Sequence, residues 1–460
     1  MTFPLARPST AAPIQRHRRL LLTLPAAFAL PMLTACGGGS DLIYETEQAL
    51  YMVGEAITPN KPREPIDPPR ATANMKPTFS VKPPLPAGLT LNAQTGVISG
   101  TPTKLKRQAT YTISATARDV QGCAEARLRI TVTGRGDWRP AATIPGARQA
   151  ASMSPLSGRR FMFAGGLRDG LPTNTVEIYN EATGTWSTAA PMLRDRDIPL
   201  AVVLKNGRVL VLSGDIYHPE PGGAEIYDPV ANTWTATGRM KEVRTLCTAT
   251  LLPSGKVLVA GGINPNLPTP LILDTVELYD PDTGVWTVLT TRLATARAVH
   301  AAALLPDGKT LLLAGGNGIT TAELYKVDGS ATKAIPFGGL GRWHQAVKLD
   351  DGSVLVMSDA SNESRRFNPA NASWTTAVMV GGARVLPTVT VLADGRVLVA
   401  GGESNTAEIY NPDVNRWTAA DAMDAARMGA ASALLGDGSV LVVSGYGNGD
   451  IVDASERYIP

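Results

Sequence analysis

Val257-Leu258-Val259-Ala260-Gly261-Gly262, then Glu277-Leu278-Tyr279-Asp280-Pro281 and Trp286, form the clearest copy of a unit that recurs from Asp137 to Pro460. In each copy an Arg and a small-residue strand come first. A Gly turn and a strongly apolar strand come next, then a Gly-containing stop. A variable loop runs to a strand holding Glu and Tyr, and a last turn leads to Trp. Self-similarity at a period of about 40–50 residues points to a β-propeller, in which each repeat buries its apolar faces against its neighbours. Asn206-Gly207, Asp307-Gly308, Asp351-Gly352, Asp394-Gly395 and Asp437-Gly438 are hairpin signals between the first two strands of a unit.

The interval from Tyr to Trp counts the units. Seven residues separate Tyr179 from Trp186, and the same interval joins Tyr227 to Trp234, Tyr279 to Trp286 and Tyr410 to Trp417. Phe367 replaces Tyr before Trp374, Thr332 replaces Trp after Tyr325, and only Ile459 and Pro460 follow Tyr458. Trp138 stands ahead of the first unit with no Tyr before it. Its strand is therefore expected to be the outer strand of the last blade, giving seven blades over 135–460 and a closed ring without exposed sheet edges. The double glycine and the Tyr and Trp that follow resemble the kelch repeat, and the resemblance spans this whole region.

From 41 to 134 the texture differs. Leu85-Pro86-Ala87-Gly88-Leu89-Thr90-Leu91 leads to Thr95-Gly96-Val97-Ile98-Ser99-Gly100-Thr101-Pro102, and alternating strands follow at Tyr111–Ala115 and Ala126–Val132. Short alternating strands with Gly and Pro punctuation indicate a β-sandwich. The passage also resembles the immunoglobulin-like modules of bacterial surface proteins, which implies a spacer or adhesive unit. The expected fold class is all-β: a small immunoglobulin-like β-sandwich followed by a seven-bladed kelch-type β-propeller.

Residues 1–35 are expected to be a signal peptide. Arg16, Arg18 and Arg19 form a basic n-region, and Leu20 to Met32 is an uncharged apolar stretch too short to span a membrane. Leu33-Thr34-Ala35-Cys36 then resembles a lipobox, which implies lipidation at Cys36, with 36–40 as lipidated Cys and Gly-rich tether. The resemblance implies an exported, membrane-anchored lipoprotein, sorted to the outer membrane because no Asp follows Cys36.

The full chain carries a net charge of +3 from 43 basic and 40 acidic residues. Removing the signal takes away Arg7, Arg16, Arg18 and Arg19 and leaves −1. A nearly neutral mature chain argues against nucleic acid as a partner. The other cysteines, Cys123 and Cys247, fall in different regions and define no disulfide framework.

In a four-stranded antiparallel blade, with strands a to d from the channel outward, a–b and c–d turns share one face. The b–c loops and the d-to-a crossovers share the other. The first set is short and repetitive; the b–c loops vary, so their face is the expected functional one. Each crossover carries an Arg there: Arg148, Arg196, Arg244, Arg297, Arg342, Arg384 and Arg427. Convergent guanidiniums bind carboxylate, sulfate or phosphate with paired hydrogen bonds. Resemblance to kelch propellers that bind acidic protein segments implies the same ligand-binding positions. A second reading stands beside it: each Arg pairs with a repeat Glu (Glu177, Glu225, Glu277, Glu323, Glu408, Glu456) as structure, with Arg365 in place of that Glu in the fifth blade.

Enzyme classes leave weaker traces. Galactose oxidase also joins a kelch-type propeller to an immunoglobulin-like module, and Gly341-Arg342-Trp343-His344 is similar to its Arg-x-Tyr-His stretch. Trp343, however, stands where a ligand Tyr belongs, and Val299 where the Tyr partner of a cross-linking Cys at Cys247 belongs. Resemblance to sialic-acid mutarotases makes Asp215, His218 and Glu220 rim candidates, but they form no recognisable set. No catalytic residue, metal or cofactor is therefore assigned. The expectation is a binding protein for an extracellular or periplasmic carbohydrate or acidic protein segment, with membrane contact through the lipid anchor.

Overall fold

The computed structural model describes residues 42–63, 77–116, 123–134, 136–215, 218, 221–338 and 341–460. Cys36, the signal segment and the tether lie outside the described residues. Among those described, no helix is long and apolar enough to cross a membrane.

The N-terminal module is a four-stranded sheet in the order Gln48–Met52, Cys123–Thr133, Lys106–Thr116, Thr78–Lys82. The first pair is parallel and the other two are antiparallel. Alternation along the long strands sends Tyr111, Ile113 and Ala115, with Leu128, Ile130 and Val132, inward. A ribbon of Leu89–Leu91 and Ile98–Gly100 contributes Ile98 to the same core as Phe79 and Tyr44. Gly96 takes left-handed geometry, φ +70, under the Phe79 ring, where a Cβ would meet the nearest ring carbon at 2.6 Å.

Seven further four-stranded antiparallel sheets follow among the described residues. The first comprises Ser152–Leu156, Arg160–Ala164, Val176–Asn180 and Thr185–Thr188. Innermost strands of successive sheets adjoin one another, and that of the last sheet, Ala431–Leu434, returns to Ser152–Leu156 of the first. The last sheet takes its outer strand, Asp137–Ala141, from the start of the region, with Trp138 opposite Tyr458. The ring is thus held shut by hydrogen bonding between its two ends.

Second strands such as Val257–Ala260, Val397–Ala400 and Val440–Val443 are buried along their entire length. Both of their faces meet neighbouring blades, so the sequence there is a continuous apolar run rather than an alternation. Val257, Val259 and Tyr279 of the third blade pack with Leu210 and Leu212 of the second. Tyr and Trp are direct cross-strand partners, as in Tyr279 with Trp286, whose ring centroids lie 4.8 Å apart. The Trp286 indole N–H donates to Gly238 O at 2.8 Å, tying the outer strand to the preceding crossover.

The sandwich meets the propeller at the a–b and c–d turns of the fifth and sixth blades. Gln108 N–H donates to the Asp413 carboxylate at 3.1 Å, Arg396 Nη1 to Thr133 Oγ1 at 2.8 Å, and Arg107 pairs with Asp350 at 3.1 Å. Among the described residues the sandwich makes no such contact with the opposite face, which carries the b–c loops. There the loops of the first, third and seventh blades form short ribbons, such as Leu167–Arg168 with Leu171–Pro172.

Candidate functional site

Six of the seven repeat arginines are fully or almost fully buried: Arg148, Arg196, Arg244, Arg297, Arg384 and Arg427. Each reaches back from its crossover into its own blade and pairs with the repeat Glu. The Nη2–carboxylate distances are 2.6 Å to Glu177, 2.8 Å to Glu225, 2.8 Å to Glu277, 2.5 Å to Glu323, 2.7 Å to Glu408 and 2.6 Å to Glu456. Other donors meet strand-end carbonyls, as Arg297 Nη1 does with Gly315 O at 2.9 Å and Thr321 O at 3.2 Å, while the buried Nε of Arg244, Arg297 and Arg427 has no partner among the described residues.

The Glu side is equally committed. Glu277 also accepts the N–H groups of Lys241 and Glu242, and Glu456 those of Asp424 and Ala425. Each pair therefore latches a crossover onto its blade. Burial pulls Arg148 and Arg297 below the usual guanidinium pKa, and their Glu partners act against that shift. The expectation of seven convergent, ligand-binding guanidiniums is corrected for these six. A guanidinium buried in its own blade and paired there with a carboxylate presents no surface to a ligand.

The fifth blade breaks the pattern. Arg342 is exposed and makes no ion pair among the described residues. Its latch partner is missing because Arg365 occupies the Glu position, opposite Val356 as Glu323 is opposite Leu313. Arg365 Nη1 donates to Phe337 O at 2.9 Å, the reverse of the polarity elsewhere, and Nη2 pairs with Glu363 at 3.2 Å. Ser358-Asp359 replaces the double glycine, and Asp359 Oδ1 accepts the N–H groups of Arg342 and Trp343 at 2.8 and 3.2 Å. Gly341, at φ +148, lets this crossover pass Ser358, whose Cβ would lie 2.7 Å from an added Cβ.

Two cavities open around this defect. One of about 270 Å³ is lined by Phe337, Gly338, Met357, Ser361, Glu363 and Arg365, among others. A smaller one of about 50 Å³ is lined by Trp343, His344, Gln345, Asp359 and Arg384, and shares Met357 and Ser358 with the first. Guanidinium, indole, carboxylate and hydroxyl groups thus meet at one place on the variable face. Such a set suits polar recognition with an aromatic wall. Arg365 was visible in the sequence as a broken repeat; Phe337 holds the place of the buried Met192 and Leu293 of other blades and reads as packing, so the sequence did not mark it as part of a site.

Other candidates disperse. His300 Nε2 lies 2.9 Å from Thr248 Oγ1, and His344 Nδ1 accepts the Gly316 N–H at 3.0 Å. Burial lowers their pKa values to about 3 and about 4, so both rings are neutral at pH 7. Asp215 is buried, pairs with Arg194 at 3.0 Å, and accepts the Gly222 and Gly223 N–H groups. His218 Nδ1 lies 3.3 Å from Arg194 Nη1; Glu220 lies outside the described residues. The Cys247 thiol is buried and pushed up to about 11.

Comparison with known proteins agrees with the architecture. The "Putative Ig domain" family matches residues 43–133, and the "Kelch motif" family matches 164–193 and 244–292. The chain is an immunoglobulin-like module followed by a kelch-type propeller. A solved structure of similar fold is described as a novel fungal alcohol oxidase with catalytic diversity among the AA5 family, in complex with copper. It has a TM-score of 0.59 and 16% identity, covering 71% of this chain and 76% of that one. No curated protein matches in sequence. The residues here do not fit that copper. Trp343 and Val299 bring no oxygen donor, the His300 and His344 rings pack over Gly261 and Gly315, and no group of three His, Cys, Asp or Glu side chains is placed for a metal among the described residues.

Proposed function

We propose that this is an exported binding protein, anchored through lipid on Cys36, whose propeller recognises an acidic carbohydrate at the fifth blade of its variable face. The observation that carries the reading is Arg342: of seven repeat arginines it alone is exposed and outside the latch. A guanidinium freed from structural duty keeps its full set of donors for a carboxylate or sulfate. Trp343 beside it adds an aromatic surface for a sugar ring, and sugar recognition is favoured over an acidic peptide on that ground. The sandwich meets the opposite face, so a lipid anchor ahead of it leaves the variable face open to ligand.

The test is binding of the mature chain to an array of uronate-, sialate- and sulfate-bearing glycans, neutral glycans and acidic peptides, beside Arg342→Ala. Acidic glycans should be retained, released by salt, and lost with Arg342→Ala. Retention of neutral glycans or of acidic peptides alone, or indifference to Arg342→Ala, contradicts the proposal.

A further inference from the structure

The larger cavity of the fifth blade is the place where the other blades bury their arginine. In the fourth blade the Arg297 guanidinium touches Gly315 O, Thr321 O and Glu323. By strand register those positions are Ser358, Glu363 and Arg365 in the fifth blade, and all three line the cavity of about 270 Å³. Arg342 has turned outward, and Arg365 is the reason: a guanidinium at the Glu position repels a second one from the slot. The same substitution makes the slot attractive to an anion. Arg365 uses two of its five N–H donors, on Phe337 O and Glu363. Glu363 is 44% exposed and makes a 3.2 Å contact, so a ligand carboxylate can take its place without stranding a buried charge.

The cavity's size narrows the ligand. At roughly 30 Å³ per water, about 270 Å³ is the space of about nine waters. That accommodates one sugar ring and leaves an Asp or Glu side chain loosely held. Phe337, Val356 and Met357 form an apolar wall, and Ser361 and Glu363 stand at the open side. Trp343 lines the adjoining cavity across Met357 and Ser358.

We propose that this slot binds a single uronic-acid residue, its carboxylate on Arg365, as the specificity pocket of the fifth-blade site. The inference rests on the carbohydrate-binding reading and deepens it.

Titration calorimetry of the mature chain with glucuronate, glucose and N-acetylglutamate tests the slot itself. Glucuronate should bind, and glucose and N-acetylglutamate should bind far more weakly. Arg365→Gln should weaken glucuronate by about tenfold, the effect of losing one charge-assisted hydrogen bond. Ala360→Phe, which plugs the slot from its exposed edge while leaving Arg365 in place, should do the same with an unchanged melting temperature. Failure of glucuronate to bind, binding indifferent to both slot variants, or equal binding of N-acetylglutamate overturns the pocket. If glucuronate fails while acidic glycans on the array still depend on Arg342, only the pocket is lost; if both fail, so does the proposed function.

Discussion

Arg244 Nη2 lies 2.8 Å from Glu277 Oε1, and neither side chain has any exposed surface. Removing one member leaves the other charged and buried. Arg244→Ala should cost about 3–5 kcal/mol in denaturant unfolding. Arg244→Met with Glu277→Leu should recover only part of the loss, because the Lys241 and Glu242 N–H groups would still lack their acceptor. Near-full recovery would show that the carboxylate does not hold the crossover.

Buried neutral histidines make stability fall in mild acid. His300 and His344 titrate at about 3 and about 4 in the fold, against an ordinary value of 6.5, because burial disfavours the charged ring. Below 6.5 the unfolded chain takes up protons that the folded chain refuses. Their contribution is therefore complete above 6.5 and is lost progressively as pH falls toward those folded values. Urea unfolding between about pH 7 and about pH 5 should lose up to about 1.4 kcal/mol per pH unit for each histidine. His300→Gln should make the decline shallower, and an unchanged slope would show that His300 is not its source.

Closure of the ring depends on Trp138. Its indole N–H donates to Asp421 O at 2.7 Å and its ring packs at a tilt against Tyr458, the centroids 5.2 Å apart. Trp138→Ala should destabilise by about 3 kcal/mol and speed hydrogen exchange in Ser455–Ile459 first. Loss of protection beginning in another blade would place the weak seam elsewhere.

The anchor has its own readout. Cys36→Ser in the full chain should move the protein from the membrane fraction to the soluble exported fraction and abolish fatty-acid labelling. Continued membrane retention would exclude Cys36 as the anchor.

Much of the fold was legible because its signals are periodic. The Tyr-to-Trp interval fixes a cross-strand pair, and a Trp138 with no Tyr before it in the sequence and a Tyr458 with no Trp after it announced the strand that joins the ends. The site was only half legible. A repeat Arg reads the same whether it faces a ligand or a Glu two strands away, so burial had to decide, and it decided against six positions. Arg365 at the Glu position was the one informative irregularity. Its consequence, Arg342 turned outward with a cavity behind it, follows from the like charges but depends on Phe337, whose carbonyl accepts Arg365 and whose buried side chain, in the place of Met192 and Leu293 in other blades, reads in the sequence as ordinary packing.

The central claim is a division of labour among repeat arginines, and Arg297→Ala measured beside Arg342→Ala tests it most directly. Thermal melts and acidic-glycan binding should separate cleanly. Arg297→Ala lowers the melting temperature and leaves the affinity of the folded fraction unchanged, while Arg342→Ala does the reverse. If Arg342→Ala lowers the melting temperature as Arg297→Ala does, or if acidic-glycan affinity survives it, the fifth-blade rim is not the binding site.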